Sequence, residues 1–198
     1  MYEQGYSTTS YTDIAMRSGL GRPLVQRYFP KKEQFILDLI QDVSAICKRL
    51  LEEHESIQLP IVIRRLHLTQ LYLSVLLCNQ RAVSLTCDVL SDRKVTARII
   101  DLHHRSAYAI FPNEDQAFLR EASVRSTGGT YELIMDKHLR NESISPDNLA
   151  AQTMAAFLAF SQDAPYQDSY KDACANLLPE HVISQMVHAL LNELPFTQ

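Results

Sequence analysis

Between Arg22 and Lys32 the chain gathers side chains suited to a polyanion: Arg22, Gln26, Arg27, Tyr28, Lys31 and Lys32. Guanidinium and ammonium groups meet phosphate oxygens, and a glutamine amide pairs bidentately with adenine. Catalytic patterns are absent by contrast. There is no G-x-S-x-G, no H-E-x-x-H, no glycine loop that would cradle a phosphate and no pair of carboxylates on a polar helix face, so no enzyme is expected. No cofactor is expected either. One histidine and one cysteine, His67 and Cys78, do not make a metal site without further ligands. Cysteines 47, 78, 87 and 174 have no C-x-x-C spacing and read as reduced thiols.

The elements that must position the basic set are short helices around a glycine. Ser10 and Asp13 have the spacing of a capping box, which starts a helix near Tyr11 with Ile14 and Ala15 facing inward. Gly19 allows a tight turn, and Pro23 suits the first turn of a second helix. Val25 and Phe29, four apart, form its packing face beneath Leu20. The opposite face then presents Arg22, Leu24, Gln26, Arg27 and Tyr28 to phosphates and base edges. Pro30 ends that helix, and Lys31 and Lys32 open the next. The first 32 residues hold five cations against two acids within a chain of net charge -4, so a basic head precedes an acidic body.

These residues carry a resemblance. T-S-x-x-D-I-A, then G-L, then V-x-x-Y-F-P-x-K-E-x-F, over roughly Gly5 to Phe35, is similar to the N-terminal head of the TetR/AcrR family of bacterial transcriptional regulators. The resemblance implies an all-α chain: a helix-turn-helix DNA-binding head (1–35), then a larger helical effector-binding and dimerisation domain (36–198). It implies that Arg22, Pro23, Leu24, Gln26, Arg27 and Tyr28 face DNA, and that Tyr11, Thr12 and Lys32 meet its backbone. Gln26 stands where the family commonly has tyrosine, so the bases read should differ. Family members begin with a full helix before the Gly5-Tyr6 turn, and Met1-Tyr2-Glu3 resembles only its end. Either residues precede Met1 in the natural product, or the head lacks a wall of its small core and binds DNA weakly or not at all.

In the body, apolar residues from Ile36 to Leu51 recur at helical spacing, giving one long helix that leaves the head. A second helix, about Pro60 to Cys78, is apolar almost all round apart from a stripe of His67, Gln70, Ser74 and Cys78. That stripe is either a ligand-binding wall or the exposed or hydrogen-bonded face of a core helix. Helices follow over about 81–90 and 93–111, the second carrying His103 and Tyr108 as ligand candidates. Asn113 can cap a helix running to Thr127, where Gly128-Gly129 predicts a kink or break beside Tyr131 and Met135, two further candidates. Ser145-Pro146-Asp147 starts another helix. A Pro165-Tyr166 turn, a short helix to Leu178 and a final stripe from Val182 to Leu194 complete the chain.

The expected function is a DNA-binding regulator, a repressor released from a palindromic double-stranded operator by a small apolar effector. Two copies would pair through the last two long helices, the family's four-helix-bundle arrangement, unless both stripes bury against the rest of the body. The alternative is a helical module of the same fold that binds a ligand or partner but not DNA. No stretch approaches about 18 uninterrupted apolar residues, and no export signal opens the chain, so a cytoplasmic protein without membrane contact is expected.

Overall fold

The computed structural model describes residues 4–54, 59–159, 175 and 177–194, and all secondary structure among them is helical. In chain order the elements are α1 (Tyr11–Ser18), α2 (Arg22–Tyr28), α3 (Glu33–His54), α4 (Ile61–Leu76), α5 (Gln80–Ser91) and α6 (Arg93–Ile110). They continue with α7 (Gln116–Ser123), a π-helical turn (Val124–Gly128), α8 (Gly129–Leu139), α9 (Pro146–Ala159) and α10 (Glu180–Glu193). The Pro165-Tyr166 turn, most of the short helix expected after it and Cys174 lie outside the described residues.

The caps read from the sequence form as hydrogen bonds. Asp13 N donates to Ser10 Oγ at 3.2 Å while Ser10 N donates to Asp13 Oδ2 at 2.8 Å. Gly19 closes α1 in the left-handed region at φ 67°, a conformation that costs a side-chain-bearing residue about 1 kcal/mol or more. Asn79, Asp92 and Asp115 each accept from backbone amides at the starts of α5, α6 and α7. The α7 cap is therefore Asp115 rather than Asn113. Asn148 N donates to Ser145 Oγ at the start of α9.

Helix α4 is the axis of the body. Val62, Leu66, Leu71 and Leu73 are at most 2 % exposed, and the helix packs against α3, α5, α9 and α10. Burying such a side chain stabilises the fold by about 2 kcal/mol, and truncating it costs about 2 to 5. The expected kink at Gly128-Gly129 is instead a widened turn. Both glycines keep right-handed helical dihedrals, and the chain runs from α7 through the π turn into α8. The apolar stripe of α10 faces inward: Ile183, Met186 and Leu190 are buried, with α10 packed on α3 and α4. These three side chains are thus covered within one chain, while Val182, Val187 and Leu191 of the same stripe stay partly buried.

No single helix among the described residues is long and apolar enough to cross a membrane. The α4–α5 pair passes on length and composition together but bends by 102°, and α4 is core.

Candidate nucleic-acid interface and interior cavity

The head is built on the crossing of α1 and α2. Val25 is 3 % exposed against Ala15 at 7 %, and Phe29 stacks on Phe35 of α3 with ring centroids 3.9 Å apart. Tyr11 Oη donates to Phe29 O at 2.7 Å, tying the start of α1 to the end of α2. Leu20, expected over Val25, is 47 % exposed, because the turn hydrogen bond from its amide to Ala15 O carries its side chain off the α1–α2 contact. Arg22, Pro23, Leu24, Gln26, Arg27 and Tyr28 are all exposed, as is Thr12. One accessible surface of α2 therefore carries two guanidiniums, an amide and a phenol. Residues 1–39 match the family described as bacterial regulatory proteins, tetR family. The head is a tetR-family helix-turn-helix domain. A head of this family implies a DNA-binding transcriptional regulator. No curated protein and no solved structure matches the chain significantly.

Two residues assigned to phosphate contact hold the tetR-type head together. The Tyr11 hydroxyl donates to Phe29, as described. Lys32 Nζ donates to the carbonyls of Tyr6 at 2.5 Å, Thr9 at 3.0 Å and Ser7 at 3.2 Å, and lies 4.4 Å from the Tyr6 ring centroid. All three ammonium donors are thereby committed to the Gly5–Thr9 turn. That turn docks the head on the body. Tyr6 is buried in the body's core, and Ser7 N donates to Asp88 Oδ2 on α5 at 2.8 Å. Gly5 sits at φ 88°, and a β-carbon there would lie 2.8 Å from the same carboxylate oxygen, so no other residue fits without a shift. Burial and the carboxylates of Asp92, Glu33 and Asp88 push the Tyr6 phenol up to about 12.

Inside the body lies a cavity of about 420 Å³. Helix α3 lines it with Ile40, Gln41, Ser44, Ala45 and Lys48, and α4 with Arg65, Leu68, Thr69, Tyr72 and Leu73. Helix α6 adds Leu102, His103, Arg105 and Ser106. The far wall is Ser126 and Thr127 of the π turn, Thr130 and Tyr131 of α8, and Thr153, Met154 and Phe157 of α9. π turns recur at functional sites, and this one brings Ser126 and Thr127 to the same wall as Thr130 and Tyr131. Gln41, Ala45, Lys48 and Arg105 are exposed and mark the mouth, between α3 and α6.

Four wall residues, His103, Arg65, Tyr72 and Tyr131, have strongly altered acid–base behaviour, burial raising the Tyr131 phenol well above its ordinary value. His103 Nε2 pairs with Tyr131 Oη at 2.8 Å, and burial, assisted by the Arg65 charge, lowers the imidazole to about 4, so it is neutral at pH 7. Arg65 keeps part of its surface accessible, yet its guanidinium is enclosed enough that burial lowers it from 12.5 to about 10, where it is still charged. It stacks 4.9 Å from the Phe157 ring centroid. Burial also raises the Tyr72 phenol, whose oxygen lies beside the Tyr131 hydroxyl without a hydrogen bond of good geometry.

Of the ligand candidates read from the sequence, His103 and Tyr131 line this cavity, and the other six do not. The α4 face used is Arg65, Leu68, Thr69 and Tyr72, two positions from His67, Gln70 and Ser74 and so about 200° around the helix. Gln70 is a structural cross-link. Its amide donates to Asp147 Oδ1 at 2.8 Å and Leu178 O at 3.1 Å and accepts from Leu178 N at 3.0 Å. His67 and Ser74 are buried on that same inward face. Cys78 lies beyond the end of α4, exposed in the turn to α5. Tyr108 is 37 % exposed, five residues past His103 and so on the opposite side of α6. Met135, one turn beyond Tyr131, packs against the body core outside the cavity. Sequence reading missed Arg65, Tyr72 and Phe157. The available signal was the Arg64-Arg65 pair inside a largely apolar helix, with Tyr72 seven residues after Arg65 and so on its face.

Among the described residues no group of three or more histidine, cysteine or acidic side chains is arranged to hold a metal ion. Burial raises the thiols of Cys47, to about 12, and of Cys78 and Cys87, which disfavours thiolate chemistry at all three.

Proposed function

We propose that this chain is a ligand-responsive repressor in which a small molecule occupying the cavity releases the head from its operator. Residues 1–35 act as the DNA-reading head and 36–198 as the effector and dimerisation domain. What carries the reading is α3. One unbroken helix stacks its Phe35 under Phe29 of the reading helix and, from Ile40 to Lys48, forms a wall of the cavity. The Asp88 contact supplies a second path, through the α5–α6 corner into α6, the helix that carries His103. An occupant that reseats α6 against α3 moves both supports of the head together. Ligand and operator then oppose each other as reciprocal effects on one conformational equilibrium.

In the complex, Arg22 and Arg27 meet phosphates or guanine edges, Gln26 reads adenine, and Pro23, Leu24 and Tyr28 supply apolar and phenolic contact. Thr12 meets the backbone. Two copies place two heads about 34 to 36 Å apart on a palindromic site. The protein works in the cytoplasm, where its DNA is.

The test is fluorescence anisotropy of the full chain on duplex DNA from upstream of its own gene, at two salt concentrations, beside Arg22→Ala and Arg27→Ala. Specific binding should weaken with salt, and each substitution should cost about 1 to 3 kcal/mol. Affinity for that duplex no greater than for a scrambled one would overturn the repressor reading and favour a helical ligand- or partner-binding module.

A further inference from the structure

We propose that the occupant of the cavity is an amphipathic organic monoanion whose charged end sits on Arg65 and whose apolar body lies along Leu68, Leu73, Met154 and Phe157. This rests on the reading of the cavity as the effector site and names the class of effector.

The argument is one of charge. Arg65 lines the cavity with no carboxylate partner among the described residues, its contact being the face of Phe157. An enclosed, unpaired cation is costly, and a fold that keeps one generally supplies an anion to it. Among the described residues the wall supplies none: its cations there are Lys48, Arg65 and Arg105, with no aspartate or glutamate beside them. A cationic ligand would meet three like charges and no counter-charge. A neutral ligand would leave Arg65 as it stands. Lys48 and Arg105 lie at the exposed mouth, where they draw an anion inward and stay hydrated. One enclosed guanidinium balances one negative charge, which argues for a monoanion.

The remaining wall agrees with an amphipathic shape. His103, neutral and bonded to Tyr131, is a hydrogen-bonding group rather than a second cation. The Thr130 and Thr153 hydroxyls lie 2.6 Å apart, with Ser126 O 2.8 Å from the first and Leu149 O 2.6 Å from the second; their two protons serve two of these three contacts, so that side of the wall is polar but already satisfied. The Tyr72 hydroxyl, buried and poorly bonded, lines the same cavity two turns beyond Arg65 on one helical face and is available to donate to a ligand oxygen lying between them. A volume of about 420 Å³ is at the lower end of small-molecule sites and suits a two- or three-ring or medium-chain acid.

The test uses two fluorescent probes that differ in one group, 8-anilinonaphthalene-1-sulfonate and its neutral parent N-phenyl-1-naphthylamine. Each is titrated into the full chain, with stoichiometry, beside Arg65→Met. In the wild type the sulfonate should bind one per chain and at least about tenfold tighter than the neutral probe. In Arg65→Met the two should fall within about threefold of each other, with the neutral probe's affinity retained as proof that the cavity is intact. Equal affinities in the wild type, or an undiminished preference in Arg65→Met, overturn the anion assignment and leave the effector site standing. If neither probe binds one per chain, both readings fall.

Discussion

The three hydrogen bonds from Lys32 to the carbonyls of Tyr6, Ser7 and Thr9 give that residue a role its type alone does not reveal. A lysine just after a basic helix fits a phosphate contact. Here its charge instead closes the turn that carries Tyr6 into the core. Lys32→Met should therefore destabilise the head by about 2 kcal/mol, since hydrogen bonds to a charged group are lost from part-buried carbonyls. The slope of log affinity against log salt should be unchanged, whereas loss of a true phosphate contact would reduce it by about 1. Thermal melts and salt titrations of DNA binding separate the two. His103 yields a second expectation at this scale. Burial, with the Arg65 charge, holds the folded imidazole near 4 against 6.5 in the unfolded chain. Between those values the unfolded state binds the extra proton, so stability present above about pH 6.5 is lost as pH falls toward 4. The loss from this group should reach about 2 kcal/mol at about pH 5. In urea melts at about pH 7.5 and 5, the unfolding free energy lost between the two should be larger in wild type than in His103→Gln by that amount, and equal losses would refute it.

At the scale of elements, Asp88 is the point where α5 grips the head. Asp88→Ala removes the acceptor of Ser7 N while leaving the reading face of α2 and the cavity wall untouched. Operator affinity without ligand should change little, but the ligand's effect on it should shrink, with the coupling falling by about 1 kcal/mol of a typical 1 to 3. An unchanged ligand effect would leave α3 as the sole path. The helices on either side of this joint were legible for physical reasons. Capping residues, glycine at a left-handed position and apolar spacing are local, so Ser10, Gly19, Asp92 and Ser145 announce their elements without help from the rest of the chain. The cavity is not local. Its wall draws on residues from Ile40 to Phe157, and which face of α4 lines it depends on how α3, α9 and α10 pack around that helix. His67, Gln70 and Ser74 made a polar stripe of the right period, but tertiary packing gave Gln70 partners at Asp147 and Leu178 and turned the stripe inward. The π turn was equally hidden, because adjacent glycines signal backbone freedom without saying that the helix continues. Domain limits at 35 and 36 carry the same tension, since α3 runs through both.

At the scale of the whole molecule the decisive quantity is the coupling between two sites that share α3. If occupancy of the cavity and grip on the operator are alternative outcomes of one equilibrium, each ligand must weaken the other by the same factor. The measurement closes a cycle: operator affinity with and without saturating 8-anilinonaphthalene-1-sulfonate, and probe affinity with and without saturating operator. The expected result is a common weakening of roughly 5- to 150-fold, the range such couplings span. A probe that binds the cavity yet leaves operator affinity unchanged would mean that it does not distinguish the two conformations, and a state-independent ligand shifts no equilibrium however tightly it binds. Equal strengthening in both directions would reverse the sign and make the chain's occupant a corepressor. The same titrations, repeated at several protein concentrations, bear on the number of heads engaged. Two copies pairing through α10 would meet Val182, Val187 and Leu191, which are only partly buried. Such pairing should make operator binding steeply dependent on protein concentration, with two half-sites gained together, and a curve fitted by one independent site would place a single head on the DNA.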